Sequence, residues 1–154
     1  MEKIKEIVRK SPNCFFCTAA VAGASSGARP MKVRWVDDEG SLWFLSASDS
    51  RKNRELDMDP AVTLFFQGSP QEEFLHLCGR ATISRDRAKI EELWEPVLRS
   101  WLTDGRHDPR ITVIKVTPTH GHYWDSGHRA AVEIFLGSAI RTRMADAVEA
   151  GALV

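Results

Sequence analysis

Cysteine is scarce: Cys14, Cys17 and Cys78 are the only three in 154 residues. An odd count without regular spacing offers no disulfide framework and suits a reducing cytoplasm. Net charge is also missing, because 21 Lys and Arg balance 21 Asp and Glu. A neutral chain has no general electrostatic pull toward nucleic acid or an anionic membrane, so any anion it holds must be held by a local cluster. No apolar run approaches the roughly 20 residues that a membrane span requires. The first ten residues interleave charges with Ile4, Ile7 and Val8 and lack the apolar centre of a secretion signal. These absences predict a soluble cytoplasmic protein with neither a nucleic-acid nor a membrane partner.

What remains is an ordinary globular composition, 43% hydrophobic and 27% charged, over a length that favours one domain across residues 1–154. Helical spacing of Ile4, Ile7 and Val8 predicts a helix over 2–10, ended at Ser11-Pro12-Asn13. Residues 14–21 suit a buried strand and 23–27 a turn. Residues 28–36 resume an extended pattern, with Arg29, Met31, Val33 and Trp35 on one face and Lys32 and Arg34 on the other. A turn at 37–40, with Gly40 free to take positive φ, leads to a return strand at 42–46. Ser50 is a good N-cap for a short helix to Met58, which Asp59-Pro60 stops.

Strands follow at 62–66 and 73–83, with Gly79 marking a bulge or close backbone approach. A 3.6-residue stripe of Ile90, Leu93, Trp94, Val97, Leu98, Trp101 and Leu102 predicts a long helix over 86–102, kinked at Pro96. Residues 111–116 alternate like a strand, with Tyr123-Trp124 extending it after 118–121. An Ala-rich stretch over 140–151 predicts a terminal helix. Strands linked mostly by hairpins argue for a small antiparallel barrel with helices packed outside.

One constellation carries chemistry. Ser50-Arg51-Lys52 follows a strand and opens a helix, so a hydroxyl, two cations and the N–H groups of a first helical turn converge. Each favours a phosphate, the guanidinium as a fork and the ammonium as a point charge. An N-cap followed by exposed basic residues gives the same pattern. Cys14-x-x-Cys17 lacks the further ligands of a zinc site and is simplest as buried strand thiols. His120-Gly121-His122 with His128 is simplest as a polar loop rather than a metal site. Trp94 and Trp101 suit core or dimer contacts.

The run Phe44-Leu45-Ser46-Ala47-Ser48-Asp49-Ser50-Arg51-Lys52, continuing to Asp59-Pro60, resembles the FMN-binding segment of pyridoxamine 5′-phosphate oxidases. A longer order is similar to the general stress protein 26 family, a branch of the same split-barrel superfamily. It comprises Arg29-Pro30-Met31, Gly40-Ser41-Leu42-Trp43-Phe44, Ser50-Arg51-Lys52, Asp59-Pro60-Ala61-Val62, Gly79-Arg80-Ala81, Glu92-Leu93-Trp94, Gly105, Asp108-Pro109 and Tyr123-Trp124-Asp125, spanning about residues 1–126.

The resemblance implies an α+β fold, mainly β: a six-stranded antiparallel split β-barrel, Greek-key-like, with flanking helices. Residues 127–154 become a C-terminal extension carrying a helix. It also implies a homodimer with FMN in clefts at the subunit interface. Carried over by position, Arg51 and Lys52 would bind the FMN phosphate and Ser50 would cap the helix beside it. Leu45 and Ser46 would line the phosphate–ribityl path, and Arg29, Met31 and Val33 would lie along the ring and ribityl chain. Trp124 would flank the ring from the other subunit. Phe74 stands where the oxidases carry a glutamine, so pyridoxamine phosphate oxidation itself is not implied. The expected function is a flavin-dependent oxidoreductase of redox or stress handling, with a small-molecule electron donor and acceptor. A flavin carrier or sensor without turnover is the alternative. FAD, the deazaflavin F420 and haem are alternative cofactors, though no clear axial ligand for haem is present.

Overall fold

Ile4, Ile7 and Val8 recur at helical spacing, and the helix they define, α1 (Glu2–Lys10), buries all three against the strands. In this computed structural model the described residues are 2–19, 27–69, 73–100, 102 and 104–125, with backbone alone for 130–135 and 141–145. After α1 come β1 (Asn13–Thr18), β2 (Ala28–Lys32), β3 (Trp35–Val36) and β4 (Leu42–Ala47), then α2 (Arg51–Met58). β5 (Ala61–Ser69), β6 (Glu73–Ser84) and α3 (Arg87–Leu93) follow, then β7 (Ile111–Asp125), β8 (Ala130–Phe135) and β9 (Arg141–Ala145).

The strands pair antiparallel in the order β2-β1-β5-β6-β7-β4-β3. The two ends of that order, β2 and β3, belong to one chain segment. Val33 N–H donates to Pro12 O, and Arg34 N–H donates to Trp43 O, so residues 33–34 carry the chain from the edge of β1 to the edge of β4. The sheet therefore curls closed as a six-stranded barrel in which β2 and β3 form one bent strand. β7 runs for 15 residues; residues 111–116 pair with β4 and residues 120–125 with β8. Along that strand the neighbour on one side changes from β4 to β8, while β6 stays paired on the other.

Alternation decides what fills the interior. Phe16, Phe44, Leu64, Leu75, Leu77 and Ile114 are almost wholly buried inside the barrel, and the Phe16 and Phe44 rings meet edge to face at 5.2 Å. Each such side chain contributes roughly 1.5–3 kcal/mol of burial. A second cluster lies outside the wall, where α3 brings Ile90 and Leu93 onto Leu45, Ile111 and Val113. Both faces of β7 are thus covered over 111–114, which explains its unbroken buried start, Thr112 included. Gly40 takes φ 86° in the turn before β4. Register shifts at Cys78/Gly79, and a Cβ on Gly79 would lie 2.6 Å from Thr117 O, so the bulge and the close approach coincide there.

The fold departs from the sequence reading in four places. His120, Gly121 and His122, expected in a polar loop, lie within the continuous strand β7, paired with Cys78, Leu77 and His76 of β6. The helix expected over 86–102 stops at Leu93; Trp94 is already extended (ψ 138°), and residues 96–100 form a 3-10 helix with Val97 67% exposed. Pro96 lacks the N–H that would bond the Glu92 carbonyl, and its ring disfavours helical geometry just before it, so the helix breaks rather than kinks. Trp35 does not share a face with Val33: the crossing at 33–34 resets the alternation. Val33 points into the core while Trp35 packs outside against Trp43, with ring centroids 5.9 Å apart. Residues 141–145 form β9 paired with β8 where an Ala-rich helix was expected, because a free strand edge outweighs intrinsic propensity; residues 146–151 lie outside the described residues.

Candidate anion site at the β4–α2 junction

α2 is unusual in burying polar side chains: Lys52, Asn53 and Glu55 join Leu56 against the barrel. Ser50 caps the helix as expected, accepting the Asn53 N–H at its Oγ. Asn53 then ties the helix to the wall. Its Oδ1 accepts from Ser46 Oγ at 2.6 Å and Ser50 Oγ at 3.0 Å, and its Nδ2 donates to Thr112 Oγ1 at 2.8 Å. Thr112 Oγ1 in turn donates to Ser46 O at 3.0 Å. These bonds fix where the next side chain lies. Lys52 is 7% exposed and donates to Ser46 Oγ at 2.6 Å. Burial, then the Arg29 charge, pushes its ammonium down to about 8, with Glu55 opposing.

Glu55 is the counter-charge of the cluster. Its Oε2 accepts from Arg29 Nη2 at 2.8 Å and from Thr18 Oγ1, and its Oε1 accepts from Arg51 Nε at 2.8 Å. The Thr18 hydroxyl, with Arg29 and Arg51, holds its carboxyl below the usual range against the opposing effect of burial. Arg29 is left with a buried Nη1 that has no hydrogen-bond partner among the described residues. An idle guanidinium nitrogen beside a buried ammonium is costly unless something anionic meets it. Arg29, Arg51 and Lys52 against the one carboxylate of Glu55 leave two positive charges, the complement of a phosphate monoester dianion.

The structure thus brings Arg29, Ser46, Ser50, Arg51 and Lys52 into one network. Leu45 turns the other way and packs in the outer cluster with Ile90 and Leu93, leaving only its backbone on the Ser46 side. Val33 is buried in the interior and Met31 packs at its margin. Trp124 stands apart on the outward face of β7, stacked on His122 at 5.6 Å. Thr18, Asn53, Glu55 and Thr112 were not singled out from the sequence. The i,i+4 spacing of Arg51 and Glu55 was a usable signal; Thr18 and Thr112 had none, because only strand topology brings them to α2.

Other residues read from the sequence resolve differently. Arg34, which shared a strand face with Lys32 in that reading, pairs with Glu95, Nη1 to Oε2 at 2.7 Å. Cys14 points into the core, where burial pushes its thiol up to about 12, whereas Cys17 lies half-buried. Odd spacing sends them to opposite faces of β1. Among the described residues no three His, Cys, Asp or Glu side chains are arranged to hold a metal ion. His128 lies outside the described residues. An open groove of about 580 Å³, beside Lys10, Phe15, Pro30 and Phe65, shares no lining residue with the cationic cluster. No helix among the described residues is long and apolar enough to cross a membrane.

An antiparallel barrel with a buried cationic cluster at the start of an outer helix defines the class as a split-barrel protein. The chain belongs to the pyridoxamine 5′-phosphate oxidase-like family: the profile described as "Pyridoxamine 5'-phosphate oxidase like" matches residues 1–145. Protein bli-3 of Neurospora crassa is 31% identical over 90 residues, 53% of this chain and 43% of that protein. The chain therefore spans under half the length of that curated relative. Among solved structures, general stress protein 26 from Bacillus anthracis is 23% identical with a TM-score of 0.69, covering 80% of this chain and 92% of that one. A Clostridium acetobutylicum protein related to general stress protein 26 of B. subtilis gives 21% and 0.73, covering 88% and 93%. A pyridoxamine 5′-phosphate oxidase-related, FMN-binding protein from Nostoc punctiforme gives 9% and 0.72, covering 94% and 95%. These likenesses show the fold.

Proposed function

We propose that this chain binds FMN, with the phosphate at Arg29, Arg51 and Lys52, and serves as a cytoplasmic flavin-dependent oxidoreductase. The observation that supports it most is the idle, buried Arg29 Nη1 beside the buried Lys52 ammonium. The name of the Nostoc punctiforme protein, which shares the fold, points to the same cofactor. Bound FMN would supply hydride and electron transfer at its ring. The chain's own groups do the rest. Ser46, itself held by Asn53, fixes the Lys52 ammonium, Glu55 bridges Arg29 and Arg51 and offsets their mutual repulsion, and α2 presents its capped first turn. Trp124, on the outward face of β7, would flank a ring held by a second subunit in a homodimer.

Anaerobic mixing of FMN-loaded protein with NADH or NADPH tests turnover. Loss of the visible flavin absorbance supports an oxidoreductase; an unbleached flavin across a panel of reductants assigns a carrier. Binding itself has a pH signature. Only the protonated Lys52 attracts the phosphate, and its ammonium sits at about 8 rather than 10.5. FMN affinity is therefore expected to fall as pH rises through about 8. Binding at that pH should take up protons, because the dianion lifts Lys52 back toward its ordinary value. Calorimetric titration in buffers of different ionisation enthalpy reads that uptake directly. For the ligand-free fold the sign is opposite: the unfolded chain binds the extra proton between about 8 and 10.5, so stability rises with pH across that window.

A further inference from the structure

The outward face of β6 brings a thiol and an imidazole together, and the pair shares no residue with the cationic cluster. Cys78 Sγ lies 3.4 Å from Nε2 of His76, two residues back on the same strand face. The imidazole is held from both sides. Its ring stacks on Phe65 of β5 at 4.8 Å and 14°, and on His122 of β7 at 5.9 Å and 6°. A nucleophile, a base within hydrogen-bond reach and further groups that orient the base make up the arrangement that activates a thiol. With its own proton on Nδ1, His76 accepts the thiol proton at Nε2.

An irregularity in the wall opens the way to the sulfur. Register slips between Cys78 and Gly79, where Thr119 is the extra residue on β7. Thr119 Oγ1 donates to Cys78 O at 3.2 Å, and Thr119 and His120 are both exposed beside the half-buried thiol. A bulge of this kind interrupts the ladder and re-aims the side chains next to it. The facing segments 63–67 and 120–124 contain no Lys, Arg, Asp or Glu, and His120 and His122 are the titratable side chains they turn outward. Glu133 of β8 occupies the register position beyond His122. Arg80, the next outward residue of β6, is exposed, so the nearest fixed charge along that strand is positive. Partly exposed sites without adjoining carboxylates are where reactive thiols occur. No third ligand completes a metal site among the described residues.

We propose that Cys78 is a nucleophilic thiol served by His76 as its base, and that it reduces hydrogen peroxide. The sulfur attacks one peroxide oxygen while the imidazole takes the thiol proton. An S–O bond forms, the O–O bond breaks, and the leaving hydroxide recovers that proton as water. Cys78 is oxidised by two electrons to its sulfenic acid. Burial, then His122 and His120, holds the His76 imidazole below its usual 6.5, so at pH 7 it is the neutral acceptor this step needs. Cys17 cannot close a disulfide with the product. Thr63 stands between Cys17 and Cys78 in register, so two strand spacings, about 9.5 Å, separate their backbones, beyond the roughly 7 Å a disulfide allows. The sulfenic acid is left for a small external thiol.

The chain carries its own controls. Cys14 lies in the core, and Cys17 is half-buried on the same outward face with no histidine on β1, β2 or β5 beside it. Alkylation of the full chain with iodoacetamide, read for each cysteine by peptide mass mapping, tests the pair without any variant and without flavin. An unassisted thiol is only a few per cent thiolate at pH 7, so Cys78 is expected to react about tenfold faster than Cys17. Its rate should stay nearly level from about pH 8 to 6.5, whereas that of Cys17 falls about tenfold per unit. Hydrogen peroxide followed by dimedone should place the sulfenic-acid adduct on Cys78. His76→Gln, with its fold checked by circular dichroism, should slow Cys78 about tenfold and give it the steep pH dependence of Cys17. Cys78 reacting no faster than Cys17, a steep pH dependence in the wild type, or a rate unchanged in His76→Gln overturns the proposal. A Cys17–Cys78 disulfide in place of the dimedone adduct overturns it as well.

Discussion

Arg29→Ala is expected to weaken FMN binding about a hundredfold, while Arg51→Ala weakens it less than tenfold. The difference follows from burial and from what each guanidinium already does. Arg29 is largely enclosed and keeps a buried Nη1 with no hydrogen-bond partner among the described residues. A charge-assisted bond formed there replaces nothing, and such bonds contribute roughly 1.5–3 kcal/mol, or about one to two powers of ten in affinity. The Arg51 side chain is 51% exposed and already paired with Glu55, so solvent screens it and only about 1 kcal/mol is at stake. Flavin fluorescence quenching measures both.

Riboflavin, which lacks the phosphate, is the discriminating ligand: its weaker binding should be the same in wild type and Arg29→Ala. Equal losses for FMN and riboflavin would move the site of action from the phosphate to the fold. Because Arg29 also neutralises Glu55, the double change Arg29→Ala with Glu55→Gln should restore the melting temperature without restoring FMN affinity.

Gly121→Ala is expected to be the most destabilising of the small substitutions in the barrel wall. A Cβ there would lie 2.3 Å from His76 O and 2.8 Å from Leu77 Cδ2. The first obstacle is backbone, so no rotamer change relieves it; β6 and β7 must separate where β7 also pairs with β8. Overpacking of this kind costs about 3 kcal/mol, which for a chain of this size lowers the melting midpoint by about 10 °C. Thermal unfolding followed by far-ultraviolet circular dichroism reads the effect. A midpoint within about 2 °C of wild type would mean the two strands are not as close as described. Gly40→Ala is a useful contrast: its cost comes from positive φ in a turn rather than from any neighbour, and is expected to be about 1 kcal/mol.

Much of this was legible in the residues themselves. The capped start of α2, the strand ending at Ala47 and the Asp59 stop are local features, set by hydroxyl capping, alternation and proline, and they lie where the pattern put them. The basic pair of Arg51 and Lys52 was visible for the same reason. Two kinds of feature were not legible. One is the consequence of a chain crossing: residues 33–34 switch partners from β1 to β4, which sends Trp35 outside and lets the barrel close. The other is competition between a local preference and a tertiary one, as where Pro96 ends a stripe that reads as one long helix, or where β8 offers an edge to residues 141–145.

The sequence by itself determined that this is an antiparallel barrel with outer helices and a cationic turn, because periodicity and capping act over a few residues. Tertiary structure alone decided that Arg29, from a different strand, joins the cationic cluster of α2, that Glu55 and Thr18 hold it there, and that Leu45 faces away. It also decided that His76 and His122 stack in an uncharged row. Those placements depend on which strands become neighbours and in what register, and a one-residue slip would turn every one of those side chains to the other side of the wall.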